Sequence, residues 1–240
     1  MSTEGAQFGK DVFDPLNIEY ENAYKHNPYK KACVRKAISL LEPGSRVLDV
    51  GCGTGVPVSQ MLAEAGMKVT GIDIAPKMVE LAKSKVDGDF EVADLLEYQP
   101  QGTFDGIFII YSQLSLSYAD VHAMAFRLAK SLAPGGLMAV GQEAAECHVP
   151  NHHPRWDVTH SYVEDFNLPF WGKPFNTLLL SRQGQQTFLK SMGLEIVSET
   201  LDTFQPDNPA CDPEHQQYVI ARRKDDQPLS PPEPLPKGSK

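Results

Sequence analysis

Long apolar runs, paired cysteines and an excess of positive charge are all missing from this chain of 240 residues. No apolar stretch approaches the roughly 20 residues that a helix needs to cross a bilayer, so no membrane partner is expected. The four cysteines, Cys33, Cys52, Cys147 and Cys211, are scattered without paired spacing. That pattern suits reduced thiols better than a disulfide framework. Basic residues number 22 against 31 acidic ones, a net charge of −9, which argues against a nucleic-acid partner and its phosphates. The segment MSTEGAQFGKDVFDP has neither a basic start nor an apolar stretch, so no secretory signal is read and a cytoplasmic location is expected. What is present is ordinary for a globular chain: 41% apolar and 22% charged residues, enough for one domain with a sizeable core.

Strand and helix patterns alternate along most of the length. Asn27 and Pro28 read as an N-cap and a first helical residue, with Cys33, Ala37, Ile38 and Leu41 as the apolar stripe of the helix they open. Short strands are expected at 46–50, 68–72, 90–93, 104–111 and 137–140, with helices at 56–65, 76–84 and 121–131. The continuous run Gly106-Ile107-Phe108-Ile109-Ile110 suits a strand buried on both faces. Pro134-Gly135-Gly136 reads as a turn. This rhythm implies right-handed crossovers and a doubly wound α/β sheet, closed by a helix at 182–192 and strands at 194–203 and 217–222. Residues 1–42 are taken as an N-terminal lid segment and helix, and 43–224 as the main domain with an insert at 142–181 rich in His, Pro and aromatics. Residues 225–240, crowded with Pro228, Pro231, Pro232, Pro234 and Pro236, read as a solvated tail.

The informative segment is VLDVGCGTG at 47–55. A strand entering Gly51, Gly53 and Gly55 and then a helix lets backbone N–H groups approach a ligand closely, with the positive helix end favouring a negative group. Asp73, 22 residues after Gly51, ends the next strand, where a carboxylate can accept both hydroxyls of a ribose. Asp94 follows the third strand on the same edge. A dinucleotide fingerprint would need glycine where Val56 stands, and no Lys-Ser or Lys-Thr follows for a P-loop. Asp49 stands inside the strand, where it either holds the turn or meets a ligand ammonium.

Together VLDVGCGTG, VTGIDIAPKMVELAK (69–83), FEVADLLEY (90–98), FDGIFIIYSQL (104–114) and LAPGGLMAV (132–140) resemble the ordered motifs of class I S-adenosylmethionine-dependent methyltransferases. The resemblance covers about 44–141, and the closing helix and hairpin agree with it. It implies a Rossmann-like seven-stranded sheet, mostly parallel, with a C-terminal antiparallel hairpin, and S-adenosylmethionine as cofactor. Gly51, Cys52, Gly53 and Gly55 would wrap its methionine moiety with Asp49 near the ammonium. Asp73 would bind the ribose, Ile74 would pack on the adenine, and Asp94 with Leu95 would meet the adenine edge. Tyr111 matches a position that faces cofactor and acceptor together. Tyr20 to Tyr24 resembles the tyrosine-rich segment of small-molecule members. There Tyr24 would turn an aromatic face to the sulfonium, or both tyrosines simply anchor a helix. After the fourth strand this chain has Tyr111-Ser112-Gln113-Leu114, not the Asn or Asp-Pro-Pro-aromatic run of amide and base methylators.

The acceptor side rests on the insert. Four of the seven histidines, His148, His152, His153 and His160, fall within 13 residues. They could be a metal site, although the spacing is unpaired; a general base, with His160 or His153 leading; or surface and lid residues. The aromatics at 156–171 suit a pocket wall or a satellite core. The expected activity is methyl transfer to oxygen, sulfur or nitrogen of a small organic acceptor. The insert and closing segment resemble enzymes of natural-product pathways. A protein or RNA methyltransferase, a non-catalytic cofactor-binding module and an NAD enzyme are the alternatives.

Overall fold

The apolar run at Phe104–Ile110 forms the middle strand of a seven-stranded sheet in the computed structural model, which describes residues 4–225 and 228–232. The strands are β1 (Arg46–Val50), β2 (Lys68–Asp73), β3 (Asp89–Val92), β4 (Phe104–Ile110), β5 (Leu132–Glu143), β8 (Leu194–Phe204) and β9 (Glu214–Arg223). Their order is β3-β2-β1-β4-β5-β9-β8. The first five pair in parallel, while β9 runs antiparallel to both β5 and β8. The reversal of order lies between β1 and β4, so a crevice opens beyond their carboxyl ends, where α/β folds of this kind bind ligands.

The alternation along β4 explains its composition. Ile107 and Ile109 pack with α5 (Tyr118–Lys130) and α6 (Arg182–Ser191), while Phe108 and Ile110 pack with α2 (Pro28–Ile38) and α3 (Val58–Glu64). Both faces are covered over Gly106–Ile110, so no position in that run can be polar without cost. Helix α4 (Pro76–Lys85) covers β2 and β3. Local chemistry starts the helices: Asn27 Oδ1 accepts from Tyr29 and Lys30, Ser117 Oγ from Asp120, and Ser181 Oγ from Gly184.

Three differences from the sequence reading have physical causes. Helix α3 begins at Val58, not at 56, because Val56 precedes Pro57 and a residue before proline is driven out of helical backbone. Pro134-Gly135-Gly136 does not precede β5 but lies within it as an irregularity: Phe104 pairs with Leu132 and Gly106 with Leu137. A long helix, α1 (Glu4–Tyr24), occupies the stretch left without an element; it breaks at Asn17 just after Pro15. That proline hid the helical spacing of Phe13, Leu16, Tyr20 and Tyr24.

The insert folds as a short 3-10 turn (Ala145–Cys147) and a hairpin of β6 (Tyr162–Asn167) and β7 (Asn176–Leu180). Ala145, Val149, Val163 and Leu179 form its small core, with Trp156, Phe166 and Leu168 against it. Part of the stretch read as a solvated tail is docked. Leu229 packs on the main core, Ser230 N–H donates to Met192 O at 3.2 Å, and Pro232 O meets His122 at 2.6 Å. Residues 226–227 and 233–240, with Pro234 and Pro236, lie outside the described residues.

Candidate active site

One cavity of about 290 Å³ opens at the carboxyl edge of β1, β2 and β4. Gly51 and Gly53 reach it from the β1 turn, Asp73 and Ile74 from the end of β2, Asp94 and Leu95 from beyond β3, and Tyr111 from the end of β4. Tyr24 reaches it from α1. These eight residues, picked from distant parts of the sequence, therefore share one site.

Three others do not line it. Asp49 is 2% exposed and accepts from Ser59 Oγ at 2.6 Å, so it ties β1 to the start of α3. Burial raises its pKa to about 6 against the opposing pull of Ser59 and Lys30. Cys52 packs in the core over Gly71, and Gly55 lies against Ala82 and Val86 of the α4 segment. These three shape the turn.

The turn also departs from expectation in its N–H groups. Gly51 and Cys52 both donate to Ile72 O, at 2.8 and 2.9 Å; Gly53 donates to Asp73 at 2.8 Å and Gly55 to Cys52 O at 2.9 Å. Four N–H groups that could cradle a phosphate are thus used within the protein, which disfavours the pyrophosphate of a dinucleotide. The glycines matter for shape. Gly51 has φ +70, and a Cβ there would lie 2.3 Å from Ser112 Cβ; Gly53 has φ +56, with open space where its Cβ would be.

Asp73 accepts one backbone N–H on each oxygen, from Gly53 at 2.8 Å and Ala75 at 2.9 Å. A carboxylate has about four lone-pair sites, so capacity remains for a further donor. Burial raises its pKa, with those N–H bonds pulling the other way. At Asp94, Oδ1 accepts from Leu96 N–H at 2.9 Å, while Oδ2 is buried without a partner among the described residues. A buried acceptor left alone is costly, so this wall calls for a donor from within the cavity. Ser112 Oγ is a second such atom. A carboxylate for two ribose hydroxyls, an orphan acceptor for an exocyclic amine, and flanking Ile74 and Leu95 together fit the adenosine half of S-adenosylmethionine.

Tyr111 adopts the left-handed region at φ 62, an uncommon state for a bulky residue, and is held by N–H to Gly141 O at 3.0 Å and Oη to Gln142 O at 3.1 Å. Lys30, 5% exposed, sits over the rings of Tyr24 and Tyr111 at 5.5 and 5.7 Å. Those faces therefore already meet a cation. Among the described residues no carboxylate lies within ion-pair distance of its ammonium, and burial lowers its pKa although Glu214 and Asp49 oppose this. Sequence reasoning missed Lys30, which sits on α2 with no motif to mark it. Tyr24 donates its hydroxyl to Glu214, whose pKa burial and Glu143 push up to about 7.

The far side of the cavity is aromatic. Phe13 and Tyr20 of α1 face Phe170, Trp171 and Phe175 of the insert, with Phe13–Phe170 centroids 5.7 Å apart and Tyr20–Trp171 6.5 Å apart. The insert's aromatics thus divide, Trp156 and Phe166 serving the satellite core and Phe170 and Trp171 the cavity. The predicted bases are not in it. His160 is exposed, stacked on Trp156 at 5.2 Å, and His153 rests on Phe166 at 5.6 Å. Asp157 holds that loop outward by accepting from the backbone of Thr159, Ser161 and Tyr162. The histidine that does line the cavity is His148, with Nε2 at 2.7 Å from Glu143. Among the described residues no group of three His, Cys, Asp or Glu could hold a metal, and no helix is long and apolar enough to cross a membrane.

Residues 47–136, which run from β1 into β5, match the family described as Methyltransferase domain. Similar curated proteins include a ubiquinone biosynthesis O-methyltransferase of Xanthomonas campestris pv. campestris (strain B100). It is 37% identical over 120 residues, or 47% of this chain and 48% of that protein. An O-methyltransferase of Penicillium expansum is 28% identical over 177 residues, 70% of this chain and 58% of its own length. The chain spans about half the length of the curated relatives that it matches. Among solved structures, magnesium protoporphyrin IX methyltransferase from Synechocystis PCC 6803 with bound S-adenosylmethionine shares the fold. Its TM-score is 0.64 at 18% identity, over 93% of this chain and 99% of that one.

Proposed function

We propose that this chain transfers a methyl group from S-adenosylmethionine to a small, flat, largely apolar acceptor. The observation that carries the reading is the continuity of one cavity, from Asp73 and Asp94 past Tyr111 to the aromatic wall of Phe13, Phe170, Trp171 and Phe175. Bound there, S-adenosylmethionine supplies a methyl carbon on a positively charged sulfur, which is a good leaving group.

The protein's tasks are then to hold two partners in line and to exclude water. Asp73 accepts the ribose hydroxyls with its remaining capacity, Asp94 Oδ2 accepts the adenine amine, and Ile74 and Leu95 pack against the ring. Lys30 pairs with the methionine carboxylate, beside the turn that Asp49 fixes from behind. The aromatic wall takes the acceptor, and α1 covers both halves. Residues 1–42 then serve as lid and 43–224 as the methyltransferase unit.

The net charge of −9 supports a small acceptor over a nucleic acid. The four free cysteines suit a reducing compartment such as the cytoplasm. The relatives' names, among them a demethylrifamycin methyltransferase of Amycolatopsis mediterranei, support natural-product and quinone-like acceptors. The wall alone admits oxygen, sulfur or nitrogen as the methylated atom.

A screen with methyl-labelled S-adenosylmethionine across phenols, thiols and amines tests this. Label in a low-molecular-weight product is expected. Label found only in protein or RNA, or a chain that binds no S-adenosylhomocysteine, would contradict it.

A further inference from the structure

We propose that the methylated atom is the oxygen of a hydroxyl on an aromatic ring, and that His148 Nδ1 takes its proton. The inference rests on the methyl-transfer reading above and adds the acceptor atom and its base.

Three observations place the pair. Glu143 ends β5, and His148 follows the 3-10 turn at Ala145–Cys147, pinned by its own N–H to Ala145 O at 3.0 Å and by Val149 N–H to the same oxygen at 2.8 Å. The side chains are only 6% and 13% exposed, and both line the cavity that holds the aromatic wall. Glu143 Oε2 sits 2.7 Å from His148 Nε2 and also accepts His215 N–H at 3.0 Å, so the carboxylate cannot swing away.

A carboxylate beside Nε2 keeps the proton on that nitrogen and leaves a lone pair on Nδ1. Among the described residues Nδ1 has no hydrogen-bond partner. The neighbouring ring of His215 lies 5.4 Å away, and its own Nδ1 is 3.1 Å from Thr203 Oγ1, so it does not compete. A base lining the cavity is of little use to an amine, which attacks through a free lone pair, or to a thiol, which ionises readily. It is of most use to a hydroxyl, whose proton must leave as the oxygen attacks. As the O–CH3 bond forms and the S–CH3 bond breaks, the electron pair stays with sulfur and the hydroxyl proton passes to Nδ1. The imidazolium so formed sits against Glu143 and returns its proton to solvent after product leaves. His148 is thus the catalytic residue and Glu143 a positioning residue.

The test uses the full chain, methyl-labelled S-adenosylmethionine and five probes: catechol, 4-methylphenol, 4-nitrophenol, thiophenol and aniline. At mildly alkaline pH 4-nitrophenol is already ionised and needs no base. His148→Gln is expected to lose about 100-fold or more in kcat on catechol and 4-methylphenol, yet about 3-fold or less on 4-nitrophenol. Glu143→Gln repeats that selectivity at smaller size, with acceptor KM unchanged. Calorimetry with S-adenosylhomocysteine gives wild-type affinity for both variants, which shows that they fold. Equal losses on all three phenols overturn the proposal. So does a chain that binds S-adenosylhomocysteine but methylates only thiophenol, only aniline or no probe at all. A wild-type chain that does not bind S-adenosylhomocysteine defeats the methyl-transfer reading itself.

Discussion

Replacing Asp94 by Asn changes one oxygen into an amide nitrogen and almost nothing else. Oδ1 keeps its bond to Leu96 N–H at 2.9 Å, so the local backbone stays anchored. The new Nδ2 takes the place of Oδ2, the buried acceptor that meets no donor within the described protein. If that oxygen receives the adenine amine, the variant sets donor against donor and removes a charge-assisted bond of about 1.5–3 kcal/mol. The expected loss in S-adenosylhomocysteine affinity is therefore about 10- to 150-fold. Isothermal titration measures it directly, with thermal unfolding as a check that the fold is intact. A second ligand sharpens the test. In S-inosylhomocysteine a carbonyl oxygen replaces the exocyclic amine; Asp94 should repel it, whereas the side-chain amide that Asp94→Asn introduces should donate to it. The variant is thus expected to weaken one ligand and strengthen the other. Equal changes for both ligands, or no change for either, would refute the assignment of Asp94 to the adenine edge.

Three further outcomes follow from the site. Lys30→Met is expected to weaken S-adenosylhomocysteine by about 10-fold or more while leaving 5′-methylthioadenosine, which lacks the carboxylate, unaffected; calorimetry on both ligands decides it, and parallel losses would count against the pairing. Glu214 holds its proton up to about 7 in the folded chain against an ordinary 4.5, so stability falls as pH rises across that window and the loss is complete above it. Glu214→Gln should flatten that descent in melting temperature, leaving the similar contribution of Asp49 below about 6; an unchanged slope would contradict the burial argument. His160→Ala should leave turnover within about 2-fold, since the residue is an exposed one stacked on Trp156 outside the cavity; a large loss in a steady-state assay would return it to the mechanism.

The sheet was legible because its signals are local. A run such as Gly106–Ile110 suits a strand with both faces covered, the carboxylates at 73 and 94 fall where strands end, and eight predicted contacts meet in one cavity. Other features depend on distance in sequence. Nothing near Asp49 tells whether it points at a ligand or at Ser59, ten residues on, and the N–H groups of the glycine turn are consumed by Ile72 and Asp73 from the neighbouring strand. The placement of the histidines depends on distance in the same way. His160 and His153 stand among aromatics in sequence, but Asp157 ties their loop away from the cavity, whereas His148 is brought in by the end of β5 and met there by Glu143. Lys30 carries no motif at all, and its role emerges only when α2 is laid beside Tyr24 and Tyr111.

In the proposed function one cavity binds S-adenosylmethionine on its acidic side and a flat acceptor on its aromatic side. Titration of the full chain with S-adenosylhomocysteine, followed by the same titration with NAD, tests it most directly. One-to-one binding of S-adenosylhomocysteine and no heat with NAD are expected, because the turn's N–H groups are not free to hold a pyrophosphate. Tight binding of NAD, or no binding of S-adenosylhomocysteine, would contradict it.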